Sequence, residues 1–180
     1  MFLDMKQRVK WRNKMQGLNI QEVAEEIKSL SNIANYGGVR LNEFGNRATL
    51  LTQQLANATT YHLTAAFLVD AQQFHNTILA SHKAITDWKQ KVESYKLFVH
   101  DVFAESEQEQ VLLDGVAATI SELMKTFATQ LSFLQQLQDK SNNLLQQAER
   151  KRRTLVSNFE RGNAPVLVDD MDEDDFAVEF

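Results

Sequence analysis

Apolar residues recur every three or four positions along most of this chain. Between residues 48 and 104, Leu51, Leu55, Ala58, Ala65, Leu68, Ala71, His75, Ile78, His82, Ile85, Trp88, Val92, Tyr95, Val99 and Val102 trace one side of a helix. The stretch has no glycine and no proline, and its spacing approaches a heptad seam. It predicts one long helix, on the order of 85 Å, as in a coiled coil or a long bundle. The one irregular step is from Ala58 to Ala65, a full seven residues, filled by Tyr61 or His62.

Two further stripes flank it. Ile20, Val23, Ile27, Leu30 and Ile33 predict a short amphipathic helix over 20–35. Asn19 with Glu22 forms a capping box at its start, and Tyr36-Gly37-Gly38 ends it, with Gly37 suited to the left-handed C-cap. The long helix then begins between residues 40 and 47, with Asn42 or Asn46 as its N-cap. A second capping box, Ser106 with Glu109, lies in an acidic patch and predicts a reversal near residues 104–108. The turn holds neither glycine nor proline, so an unbroken helix through it stays open. Val116, Ile120, Leu123, Phe127, Leu131, Leu134, Leu137, Leu144, Ala148, Leu155 and Phe159 mark a third helix over 108–160, stopped by Gly162 and Pro165. The expected fold is all-α: a long antiparallel helical hairpin, coiled-coil-like, with a short N-terminal helix. A helical domain over 18–162 would lie between a basic arm, 1–17, and a disordered acidic tail, 163–180.

The polar positions are as informative as the apolar ones. From Ala48 to His82 the only formal charge is Asp70, and residues 126–138 carry none. A solvated helix face usually bears Glu and Lys. Thr, Gln, Asn and Ser can instead hydrogen-bond across a protein contact without the desolvation cost of a charge. If the chain reverses near residue 106, residues 126–138 lie against residues 74–86, and the two charge-poor pieces meet. That predicts faces covered by other protein; the plainer reading is a solvated face that lacks charge. A membrane span is not expected, because Gln53, Gln54, Asn57, His62, Gln72 and Gln73 would enter hydrocarbon.

Charge is segregated. The net charge is −5, yet residues 1–15 sum to +4 and residues 166–180 to −7. Lys6, Arg8, Lys10, Arg12 and Lys14 form a basic patch with Val9 and Trp11 between them; Arg150, Lys151, Arg152 and Arg153 form another. The first suits an anionic partner, or a solvated terminus whose Phe2, Met5 and Trp11 tuck onto the bundle. The second suits a helix C-terminus, whose dipole attracts cations, or an acid-binding patch. The tail mixes acids with apolar residues: Asp169, Asp170, Met171, Asp172, Glu173, Asp174, Asp175, Phe176 and the final Phe180. Such mixing suits a segment that orders on a basic, grooved partner, in trans or on this chain's own basic patches. Over about ten residues it resembles the acidic, Phe-ending tips of bacterial and phage single-stranded-DNA-binding proteins. It lacks the proline before the last Phe, and no oligonucleotide-binding barrel precedes it. The resemblance therefore implies a docking tail.

At 180 residues the chain suits one domain, and one proline with six glycines argues against an all-β fold. The absence of cysteine excludes disulfides, thiolate metal sites and cysteine nucleophiles. No cleaved signal is visible, so a cytoplasmic protein is the default expectation, with incorporation into a larger particle or signal-less secretion left open. No phosphate-binding loop, nucleophile elbow, zinc-protease motif or calcium loop occurs. His75 and His82, seven apart, fit hydrogen-bonded seam residues better than metal ligands. The sequence thus names no catalytic, metal or cofactor residue. It points to a non-enzymatic scaffold or assembly protein with protein partners, a homo-oligomer or a subunit of a larger complex. The alternatives are a membrane-active helical protein, surface-bending or pore-forming, and a nucleic-acid accessory protein using the basic arm and the acidic tail.

Overall fold

Continuous burial, more than glycine content, decides where the helices begin and end. A computed structural model describes residues 19–161. The basic arm (Lys6, Arg8, Lys10, Arg12, Lys14) and the acidic tail (Asp169 to Asp175, Phe176, Phe180) lie outside the described residues. The described residues form three α-helices and no strand: α1, Ile20–Asn57; α2, Tyr61–Asp101; and α3, Glu107–Glu160. The all-α expectation holds.

Helix α1 starts at the expected capping box. The Glu22 amide donates to Asn19 Oδ1 at 2.8 Å, and the Asn19 amide donates back to Glu22 Oε2 at 3.3 Å. The helix does not stop at Tyr36-Gly37-Gly38, which corrects the short-helix expectation: α1 has 38 residues. Val23, Ile27, Leu30 and Ala34 are buried before the glycine pair, and Leu41, Ala48, Leu51, Leu55 and Ala58 after it, on one stripe. A helical glycine costs ~1 kcal/mol relative to alanine, whereas each buried Leu or Ile contributes ~1.5–3 kcal/mol. Gly37 falls on the stripe itself. A Cβ there would sit 3.3 Å from both Nε2 and Oε1 of Gln130. The glycine admits a side chain from α3 and caps nothing.

The long helix expected over 48–104 is two helices. The break falls at Ala58-Thr59-Thr60, inside the irregular seven-residue step. Thr60 is the N-cap of α2: its Oγ1 accepts from the Leu63 amide at 3.2 Å. Its carbonyl accepts from both the amide and the hydroxyl of Thr64. This cap sets the phase of α2, so Thr64, Phe67 and Phe74 are buried while Ala65, Leu68 and His75 are only half-buried. At the far end the chain reverses where expected. The Glu109 amide donates to Ser106 Oγ at 3.1 Å, and Glu109 Oε2 accepts from the Glu105 amide at 2.7 Å.

The described chain packs as two units, each taking a piece of all three helices. The first comprises 19–40 and 82–133. Its α2 and α3 pieces meet through Trp88 and Phe127, ring centroids 6.4 Å apart. Its α1 and α3 pieces meet through Gln130, whose Nε2 donates to the Ala34 carbonyl at 2.8 Å. The second comprises 41–81 and 134–161. Phe44 meets Phe74 edge to face at 6.3 Å, and His75 meets Ser141. Lys151 Nζ donates to the Leu55 carbonyl at 2.9 Å. In both units the α1–α3 bond spans 96 residues.

Polar residues sit on the seams without leaving hydroxyls unpaired. Thr64, Ser94 and Ser141 are buried, and their hydroxyls donate to the carbonyls of Thr60, Lys91 and Gln138. Glycines off the seam offer a direct test of the packing. A Cβ at Gly38 or Gly115 would meet nothing within 4 Å. Gly38→Ala and Gly115→Ala should each stabilise the protein by about 0.5–1 kcal/mol in urea denaturation, since both lie inside helices.

Candidate interaction surface

The phase that buries Thr60, Thr64, Phe67, Ala71, Phe74 and Ile78 turns the opposite side of α2 outward. In the second unit that side is His62, Ala66, Val69, Gln73, Asn76 and Ala80, all exposed and alternately four and three residues apart. Leu63 and Leu79 flank it, 46% and 40% exposed, and Val69 at its centre is 69% exposed. Asp70 is the only charged side chain from residue 61 to 81. Gln72 Nε2 donates to Asn76 Oδ1 at 3.0 Å, so two exposed amides are already partly satisfied along the helix. The outward residues of 126–138 on α3 are Ala128, Thr129, Ser132, Gln135 and Gln136, again without charge.

Contacts between α2 and α3 fall beside the charge-poor pieces, each joining one residue inside them to one just outside. In the first unit the contact is Trp88 with Phe127; in the second it is His75 with Ser141. The first unit carries an ordinary solvated surface, with Glu22, Glu25, Lys28, Lys83, Asp87 and Lys96 exposed. Lys91 is bound to Glu26 at 2.9 Å and lies 6.0 Å from the Tyr95 ring centre. The bond to Glu26 raises the Lys91 pKa above its ordinary 10.5, against an opposing desolvation. Burial raises Tyr95 above its ordinary 10.0. Both groups hold their protons more tightly folded than unfolded. Their contribution is whole below the unfolded values and is lost as pH rises through the folded ones. Lys91 and Glu26 are each nearly half exposed, so the pair contributes only about 0.2–1 kcal/mol. The thermal midpoint should fall above pH ~10, and Tyr95→Phe should make that alkaline fall shallower.

His75 and Ser141 invite a catalytic reading that their geometry does not support. The one hydroxyl hydrogen of Ser141 goes to the Gln138 carbonyl at 2.9 Å. His75 Nδ1, 2.7 Å from Ser141 Oγ, must therefore donate rather than accept. A nucleophilic serine needs the reverse polarity and an open approach, and Ser141 is fully buried. His82 is half-buried on the same helix. No group of three or more His, Asp or Glu that could hold a metal ion occurs among the described residues. No described helix is long and apolar enough to cross a membrane.

The described basic patch is largely occupied by the fold. Lys151 caps the end of α1 through the Leu55 carbonyl, which also accepts from the Ala58 amide at 3.2 Å. Arg152 donates to Glu149 at 3.0 Å, which raises the Arg152 pKa. Arg153 lies 3.8 Å from the same carboxylate. Arg150 remains exposed on the outer side. The stripe on α2 was hidden from sequence reading because its phase depends on Thr60. The signal was there, however, as paired threonines inside an interrupted repeat. Comparison with protein-family models, curated proteins and solved structures finds no match for this chain.

Proposed function

We propose that this chain is a non-enzymatic assembly protein, a scaffold subunit that self-associates in coiled-coil fashion through the outer face of α2. Its acidic segment, 169–175, acts as a docking tail for a basic partner surface. The observation that carries the reading is Val69, 69% exposed at the centre of a face whose single charge is Asp70. Water favours charge on a solvated helix, whereas a contact favours apolar and small uncharged side chains. The spacing of the stripe also suits a second copy. It reads the same in either direction about residue 71. A two-fold partner would set Val69 opposite Gln73, Ala66 opposite Asn76 and Asp70 opposite Gln72, so that no like charges meet.

The absence of native cysteine makes the test simple. Val69→Cys and Lys28→Cys each add one thiol at an exposed helical position. A short bis-maleimide should convert the Val69→Cys protein to a covalent dimer at low micromolar concentration and leave Lys28→Cys monomeric. Equal yields at both positions, or none at residue 69, would rule the face out.

A further inference from the structure

The groove between α2 and α3 in the first unit joins two kinds of chemistry. A cavity of about 290 Å³ is lined by apolar Val99, Ile120 and Met124 together with Lys96 and Lys125, one lysine on each helix. Lys96 is exposed. Lys125 has Glu122 at 3.6 Å, but the two side chains are 72% and 76% exposed, so that pair is weak and readily exchanged. An occupant that matches this groove offers apolar side chains with carboxylates on either side.

The sequence contains one such segment. In residues 166–176, Val166, Leu167, Val168, Met171 and Phe176 alternate with six acids. We propose that this segment occupies the groove, its apolar side chains against Val99, Ile120 and Met124 and its carboxylates on Lys96 and Lys125. Supplied by a second copy, it makes a heterologous contact, which propagates from copy to copy unless it closes into a ring. The inference rests on the docking-tail part of the proposed function and makes no use of the α2 face.

The probe is a labelled synthetic peptide of residues 162–180, titrated by fluorescence anisotropy into the full-length protein at low salt. Wild type should bind it, with affinity falling as salt rises. Lys96→Glu/Lys125→Glu should weaken binding at least about tenfold, while Arg150→Glu/Arg153→Glu and Val69→Glu leave it unchanged. Circular dichroism confirms that each variant is folded; both lysines are exposed, so the double variant should melt like wild type. A second arm restores the contact with charges exchanged. A peptide carrying Lys at positions 172, 173 and 174 should bind the Lys96→Glu/Lys125→Glu protein and not wild type. Equal peptide affinity for wild type and the lysine variant overturns the proposal. So does loss of binding only when Lys6 to Lys14 or Arg150 and Arg153 are neutralised. Failure of the residue-69 cross-link alone would sink the α2 face and leave the groove standing.

Discussion

Phe127→Ala is expected to cost about 3–5 kcal/mol of stability, the largest effect of any single truncation considered. The ring is fully buried at a seam position and faces Trp88 across the α2–α3 contact. Truncation removes the transfer free energy of an aromatic side chain and leaves a cavity. Three continuous helices cannot close that cavity without shifting their register. Phe103, in the turn between α2 and α3, is the natural control because it is 93% exposed. Phe103→Ala should change stability by no more than about 0.5 kcal/mol. Urea denaturation of both variants checks the pair; a Phe127→Ala loss below about 1 kcal/mol would mean that the seam is not packed as described.

The second large effect concerns Gly37 and Gln130. Gln130 Nε2 is held by the Ala34 carbonyl, and its Oε1 is buried without a hydrogen-bond partner. Gly37 faces both atoms at the distance where a Cβ begins to push. Gly37→Leu should therefore destabilise by about 1–3 kcal/mol, despite leucine's better helix propensity. The double variant Gly37→Leu/Gln130→Ala should recover much of that loss, because the smaller side chain vacates the space. The expected interaction is about 0.5–3 kcal/mol in a double-mutant cycle from urea melts. Strict additivity would show that the two residues do not share this site. The glycine was legible in the sequence, but its role was not. A C-cap and a close approach both call for a missing Cβ, and only the partner helix tells them apart.

Much of the fold was legible for a simple reason. Buried positions repeat at fixed spacing wherever a helix is long, so the stripes of α1 and α3 and the capping boxes at Asn19 and Ser106 were visible from residue types alone. Two boundaries were not. The Gly37-Gly38 pair reads as a stop by local propensity, and the burial of Leu41 and Ala48 beyond it overrides that preference. The break at Thr60 contains no glycine or proline, and a threonine cap is a weak signal beside a stripe whose spacing runs on. Missing it shifted the phase of α2, which exchanged Phe67 and Phe74 for Leu68 and His75 as core residues. The same shift concealed the exposed stripe of Ala66, Val69 and Gln73. The charge-poor character of residues 48–82 was visible, because it depends on composition and not on phase.

The basic residues near the end of α3 show the other limit. Arg150, Lys151, Arg152 and Arg153 form one cluster in sequence and three environments in the fold. Lys151 serves the end of α1, Arg152 and Arg153 share Glu149, and Arg150 faces outward. Charge counting cannot separate these roles, because successive helical residues point about 100° apart.

The central claim is that the uncharged face of α2 is covered by another subunit in solution. Sedimentation velocity on the full chain, from about one to a few hundred micromolar at moderate salt, tests it most directly. The account predicts a mass that rises with concentration above the 20.6 kDa of one chain and returns to it in Val69→Glu. A wild-type mass of 20.6 kDa across the whole range would contradict it.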